Sequence, residues 1–269
     1  MTSALRQLAY GTAADMFVEY LKISEQTSAI CLDNFCECII HLYKERYMRS
    51  PNAYDVERLY SKHEEKHGFK GMLRSIDCMH WEWKNCPVAL KGQYTGGDHK
   101  KPTIMLKAVA SYDLWIWHAF FGMADCIYPD WATLVKGYAA QTDDPRIKFT
   151  RFQASARKDV ERAFGVLQGR FHILRLAVRT MSVNKMRRVM DCCIILYNVI
   201  LEDQGYALSD SKEDFTTELM ENRPERIPNR GWDQDIIIRE IRDRMVHDQL
   251  TDDLVEHIWN LPPTFRTTN

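Results

Sequence analysis

Three carboxylates in this chain stand where they could converge on a single chemical task. Asp77 and Asp125 each terminate an apolar run. A strand that ends in a carboxylate presents it at the carboxyl edge of a sheet, where open α/β sheets place their ligands. Glu161 sits in Arg157-Lys158-Asp159-Val160-Glu161-Arg162, an acid within a basic helix. Three hard oxygen donors suit Mg²⁺ or Mn²⁺, which bind through a few carboxylates plus phosphate oxygens. Two such ions about 3.5–4 Å apart can activate water and stabilise the leaving oxygen of a phosphodiester. The same residues also fit a plainer arrangement, a strand-end cap and an Arg157–Glu161 pair one helical turn apart. Lys91, Lys100, Lys101, Arg157, Lys158 and Arg162 are the cations expected nearest the proposed carboxylate site. They are candidates for phosphate contacts, which position a nucleic acid without reading its sequence.

Other chemistry-bearing residues are less well spaced. Cys78, Cys86, His80 and His99 contain no C-x-x-C pair, and Cys36-x-Cys38 and Cys192-Cys193 also miss the spacing of structural zinc sites. These thiols are expected as buried apolar side chains. Trp81, Trp83, Trp115 and Trp117 could stack on unpaired bases. Their alternation along strands favours a place in the core.

Those residues must be held by a chain of 269 residues that is 45% hydrophobic and 27% charged, the balance of a globular protein. No apolar run approaches the roughly 18 residues needed to span a bilayer, so no membrane partner is expected. Residues Met1 to Tyr10 lack the apolar stretch of a secretory signal, and the eight cysteines are expected as reduced thiols. The net charge of −1 is unevenly spread. Arg146 to Arg188 holds twelve Lys/Arg against two acids, whereas Leu201 to Asn260 holds sixteen acids against seven bases. A basic segment beside an acidic tail suggests a polyanion-binding face with a tail able to shield it.

The apolar periodicity divides the chain into three parts. Residues 1–68 read as a helical, helix-turn-helix-like module. Ala13, Met16, Phe17 and Tyr20 share one helical face, and Ser24 caps a second stripe of Ile30, Leu32, Phe35, Ile39 and Leu42 that ends near Arg49. Glu25 to Leu42 contains no Lys or Arg, so this unit suits packing better than holding phosphates. Residues 69–205 read as an α/β core. It opens with a strand from Gly71 to Asp77, followed by alternating Trp81 and Trp83 and a basic turn from Lys91 to Lys101. Two β-rich runs, Pro102 to Ser111 and Leu114 to Met123, come next, with a short helix from Pro129 to Val135. Helices follow from Phe152 and from Val183 to about Asp203, the latter ended by Gly205. Residues 206–269 read as an acidic helical region, with amphipathic stretches at Asp235 to Val246 and near Trp259.

Three phrases carry a specific resemblance: Ser75-Ile76-Asp77-Cys78-Met79-His80-Trp81-Glu82-Trp83-Lys84-Asn85-Cys86-Pro87, Asp125-Cys126-Ile127-Tyr128-Pro129-Asp130-Trp131-Ala132-Thr133, and Arg157-Lys158-Asp159-Val160-Glu161-Arg162-Ala163-Phe164-Gly165-Val166-Leu167-Gln168. Together they resemble the plant PIF/Harbinger transposase-derived nucleases, over roughly Ala4 to Gln204. The resemblance implies an RNase H-like DDE core, a mixed sheet flanked by helices, and a divalent metal, Mg²⁺ or Mn²⁺. It also implies nuclear residence, DNA as substrate, and a separate Myb-like partner that supplies much of the DNA targeting. Asp77 matches the first acid, Asp125 the acid of the D-x-x-Y-P word, and Glu161 the last acid of V-E-R-x-F-G. By that likeness the three are the catalytic and metal-binding residues. Self-association is left open.

The chain departs from the family at one place. A G-S-N-N-D word and several dozen residues are expected before D-x-x-Y-P, but Met123-Ala124 runs directly into Asp125. In an RNase H-like sheet ordered 3-2-1-4-5, the second acid lies on the strand beside the first. If Leu114 to Met123 remains the third strand, Asp125 ends two strands away from Asp77, roughly 10 Å. Ligands on one Mg²⁺ must each approach to about 2.1 Å. The expectation is a nuclease core with an impaired site, or a non-catalytic nuclear protein that keeps the scaffold for binding DNA or protein.

Overall fold

A computed structural model describes residues 1–96, 100–123, 134–139, 143–205, 244–262 and 265. The chain forms two compact units. One comprises Met1–Leu59, Leu73–Cys126 and Arg157–Tyr206; the other comprises Tyr60–Met72, Ile127–Ala156 and Ala207–Asn269. Among the described residues, no helix is long and apolar enough to cross a membrane.

The first unit is built on a three-stranded antiparallel sheet of order β1-β2-β3, with β1 Ser75–Glu82, β2 Thr103–Ala110 and β3 Ile116–Gly122. The expected first strand is displaced. It does not run from Gly71 and end at Asp77; it begins at Ser75, and Asp77 is its third residue. Gly71 adopts φ +71°, which breaks an extended path before Ser75. Pairing with β2 then continues through Glu82, opposite Thr103. Ser75, Met79 and Trp81 are buried, and the intervening residues are half-buried, the two-residue period of a strand with one face on the core. The expected break between the two β-rich runs falls in a tight connection. Leu114 N–H donates to Ser111 O at 2.9 Å, and Leu114 takes φ +69°. Asp113 secures the turn by accepting from Trp115 N–H at 3.2 Å and from the Ser111 hydroxyl.

Helices make up most of the rest of the described chain. Helix α1, Thr2–Tyr10, stops at Gly11, whose φ of +66° supplies a left-handed cap. The expected helix over Thr12 to Tyr20 forms only a 3₁₀ turn, Ala14–Phe17, and a single turn, α2, Val18–Leu21. Lys22 ends it at φ +53°. Helix α3, Glu25–Tyr47, starts at Ser24, whose hydroxyl accepts from Thr27 N–H at 3.1 Å. Helix α4 spans Ala53–His67 and α5 spans Val88–Tyr94, the latter occupying the first part of the expected basic turn. Helix α6, Asp144–Arg170, is longer than the periodicity from Phe152 indicates, and α7 spans Val183–Asp203. Helix α7 is capped by Ser182, and Gly205 follows it at φ +71°. Helix α8, Arg244–Trp259, covers the second of the expected C-terminal stretches; most of the first lies outside the described residues.

The core of the first unit joins Met79, Trp81 and Trp83 of the β1 segment to Leu106 and Ala108 of β2. Val160, Phe164 and Leu167 of α6 and Met190, Ile194 and Tyr197 of α7 complete it. Helices α3 and α7 are also tied by polar contacts: Arg46 to Glu202 at 2.9 Å, Tyr47 Oη donating to Glu202 at 2.5 Å, and Lys185 to Asp33 at 2.5 Å. The second unit has its own small core of Phe69, Phe149, Phe152, Ala156 and Ile258.

Candidate functional site

Asp77 lies on the core-facing side of β1, because Met79 and Trp81, two and four residues on, point into the core. Its neighbour across the ladder is Ala108, and the next position on β3 is Ala119. Short side chains therefore flank the carboxylate on the sheet, and Asp77 keeps partial exposure. Helix α6 packs on this same face: Gln168 Nε2 donates to Met79 Sδ at 2.9 Å. Glu161 precedes Gln168 by seven residues, two helical turns, and so shares its side of the helix. The fold thus presents Asp77 on one surface and Glu161 on the helix that packs against it. Two of the three expected acids sit on adjoining elements.

The third, Asp125, lies outside the described residues. What is described is the strand that leads to it. Gly122, the last residue of β3, is level with Met105 and hence with His80 of β1. It is two strands across from β1 and three residues further along than Asp77. At about 4.8 Å between strands and 3.3 Å per residue, its Cα lies roughly 14 Å from that of Asp77.

Glu161 is held by a neighbour. Its carboxylate pairs with Arg157, one turn earlier, at 3.0 Å, and both side chains are about half exposed. This is the plainer arrangement that the spacing also permits. A cation at Glu161 would have to compete with a guanidinium. As donors, two carboxylates on facing elements have the hard-oxygen chemistry that Mg²⁺ or Mn²⁺ requires.

The six expected phosphate-binding cations divide evenly. Lys101 pairs with Glu82 at 2.9 Å, Arg157 with Glu161, and Arg162 with Asp159 at 3.4 Å. Lys91, Lys100 and Lys158 have exposed side chains. The four tryptophans are core residues, each no more than 5% exposed, so base stacking is not their role. Trp81 and Trp83 donate their indole N–H groups to Leu176 O and Thr180 O, each at 2.8 Å. The thiols Cys36, Cys86, Cys192 and Cys193 are buried, Cys31 and Cys78 are half-buried, and Cys38 is exposed; none of these seven forms a disulfide. A hydrogen bond with Cys36, with burial second, holds the Cys192 thiol well above its ordinary pKa. Such a thiol is inert. His80 is engaged by Thr103 Oγ1 at 3.1 Å, and His99 lies outside the described residues.

Two buried polar features escaped the sequence reading. Asp159, fully buried, sits two residues before Glu161, in the basic segment where Glu161 alone was singled out. In the second unit, His63 and His67 on α4 are buried with stacked rings. Their four-residue spacing was the available signal.

Comparison with known proteins adds one match. A family model described as "Plant transposon protein" matches residues 45–126 and 122–207, together more than half of the chain. No curated protein and no solved structure matches.

Proposed function

From its membership of the plant transposon protein family, we propose that this chain descends from a metal-dependent DNA nuclease of PIF/Harbinger type, built on an RNase H-like core. Its carboxylate site is incomplete. The observation that carries this reading is the family match itself, which comes in two segments that meet at residues 122–126. They meet just where β3 ends at Gly122, at the point where the resemblance expects the family's connector. The antiparallel order β1-β2-β3 and the packing of α6 on the Asp77 face support the RNase H-like assignment. The distance from Gly122 to Asp77 and the Arg157–Glu161 pair support impairment.

In this reading Asp77 and Glu161 would hold a Mg²⁺ or Mn²⁺ ion, with Asp125 the expected third donor. Such an ion supplies Lewis acidity at a phosphate oxygen and lowers the pKa of its bound water. The chain's own part is then to hold that ion and to position DNA through Lys91, Lys100 and Lys158. The protein resides in the nucleus and relies on a Myb-like partner for sequence recognition. A second reading, a non-catalytic protein that binds DNA or protein partners, is favoured by the ion pair that occupies Glu161.

The test is incubation of the purified chain with Mn²⁺ and end-labelled duplex DNA beside an Asp77→Ala control. The expected result is no cleavage above that control. Cleavage that Asp77→Ala abolishes would show a working site and overturn the impairment.

A further inference from the structure

We infer that His63 and His67 form a binding site for one divalent transition-metal ion of the Zn²⁺ class, a pair of ligands distinct from Asp77, Asp125 and Glu161. The two imidazoles lie one turn apart on α4 and are 0% and 1% exposed. Their rings stack at 5.7 Å between centroids with 25° between planes, and a ring nitrogen of each lies within 4.8 Å of the other. Two nitrogens on a tetrahedral Zn²⁺, at bonds of about 2.0–2.1 Å, stand roughly 3.4 Å apart. Binding would require the rings to turn until the two nitrogens reach that separation.

The local chain favours an ion that plays a structural part. The segment reads His63-Glu64-Glu65-Lys66-His67, the H-E-x-x-H spacing that places two imidazoles on one helix face. In metalloproteases the glutamate of that motif is a general base beside the metal. Here Glu64 is exposed while both histidines are buried, so it cannot act on a ligand between them. Imidazole nitrogen selects Zn²⁺, Cu²⁺ or Ni²⁺ over the Mg²⁺ or Mn²⁺ that carboxylates take.

The last turn of α4 is also fixed in place, which keeps both rings oriented. Gly68 ends the helix at φ +75°, and its N–H donates to Glu64 O at 2.9 Å. Its carbonyl lies 3.0 Å from His257 Nε2 of α8. A Cβ at Gly68 would come within 2.7 Å of Leu261. Phe69 then packs edge-on against Phe149 at 5.8 Å. An ion bound only by the folded form would stabilise this unit.

The experiment is calorimetric titration of the full-length, chelator-stripped protein with Zn²⁺, repeated on His63→Gln and His67→Gln. The expected result is one ion per chain, with affinity at least tenfold weaker in each variant and unchanged in His41→Gln, which removes an exposed imidazole of α3. Because both side chains are buried, X-ray absorption of the zinc-loaded wild type supplies a readout that needs no variant. Nitrogen or oxygen neighbours near 2.0 Å with imidazole outer-shell scattering support the site. A first shell of sulfur near 2.3 Å, no saturable binding, or full affinity in both variants would overturn it.

Discussion

Asn198 on α7 offers the sharpest test of how the first unit is held together. Its side chain is fully buried and makes three hydrogen bonds. Oδ1 accepts from Ile116 N–H at 3.2 Å, while Nδ2 donates to Ile116 O at 2.8 Å and to Tyr47 O at 2.7 Å. Ile116 opens the edge strand β3, and Tyr47 ends α3, where carbonyls lack a partner within the helix. One amide therefore satisfies backbone groups of a strand and of a helix. Asn198→Leu fills similar space but strands all three. Each buried, unsatisfied group costs about 1–3 kcal/mol, part of which the added apolar side chain offsets, so the net loss should be about 3–5 kcal/mol. At about 2–4 °C per kcal/mol for a domain of this size, Tm should fall by roughly 10–15 °C. Equilibrium denaturation monitored by tryptophan fluorescence measures this directly, since Trp81, Trp83, Trp115 and Trp117 all lie in the affected core. Ile195→Val in the same helix, expected to cost about 0.5–1.5 kcal/mol, serves as the comparison. A loss for Asn198→Leu no larger than that of Ile195→Val would refute the hydrogen-bond argument.

Two further outcomes follow from charges on the first unit. Burial first, and then the hydrogen bond to Glu202, push the Tyr47 phenol up to about 12 from its usual 10. The folded state therefore retains this proton where the unfolded state has lost it. The contribution is intact below about pH 10 and declines as pH rises towards 12. Tyr47→Phe should flatten that alkaline decline in a denaturation series, and an unchanged decline would remove Tyr47 as a cause. DNA binding should weaken with salt on a log–log plot, and Lys91→Ala, Lys100→Ala and Lys158→Ala together should reduce the slope by about 2 to 3. An unaltered slope in a fluorescence anisotropy titration would exclude these lysines from phosphate contact.

Much of the fold was legible because local chemistry enforces it. Ser24 and Ser182 cap helices where their hydroxyls meet orphan N–H groups, and the turn at Tyr112-Asp113 falls where a hairpin must close. Tryptophans that alternate in the sequence became core residues because a strand sends alternate side chains to one face. The residue types and spacing of Asp77 and Glu161 were likewise readable. Their settings were not. Asp77 appeared to end a strand because its apolar run stops there, whereas pairing with β2 carries the strand on through Glu82. Glu161 could have been a free acid or half of an ion pair with Arg157; the side chains chose the pair.

The sequence by itself determined the capped starts of α3 and α7, the turn between the two β-rich runs and the likeness to plant transposon proteins. These depend on neighbours within a few residues or on quotable words. Only the tertiary structure decided that Gln168 meets Met79, that Asn198 bridges Ile116 and Tyr47, and that β3 ends two strands away from β1. Those facts join residues tens to more than a hundred positions apart. No local propensity encodes them, because they arise from how buried surfaces and backbone polar groups are satisfied across the whole unit at once.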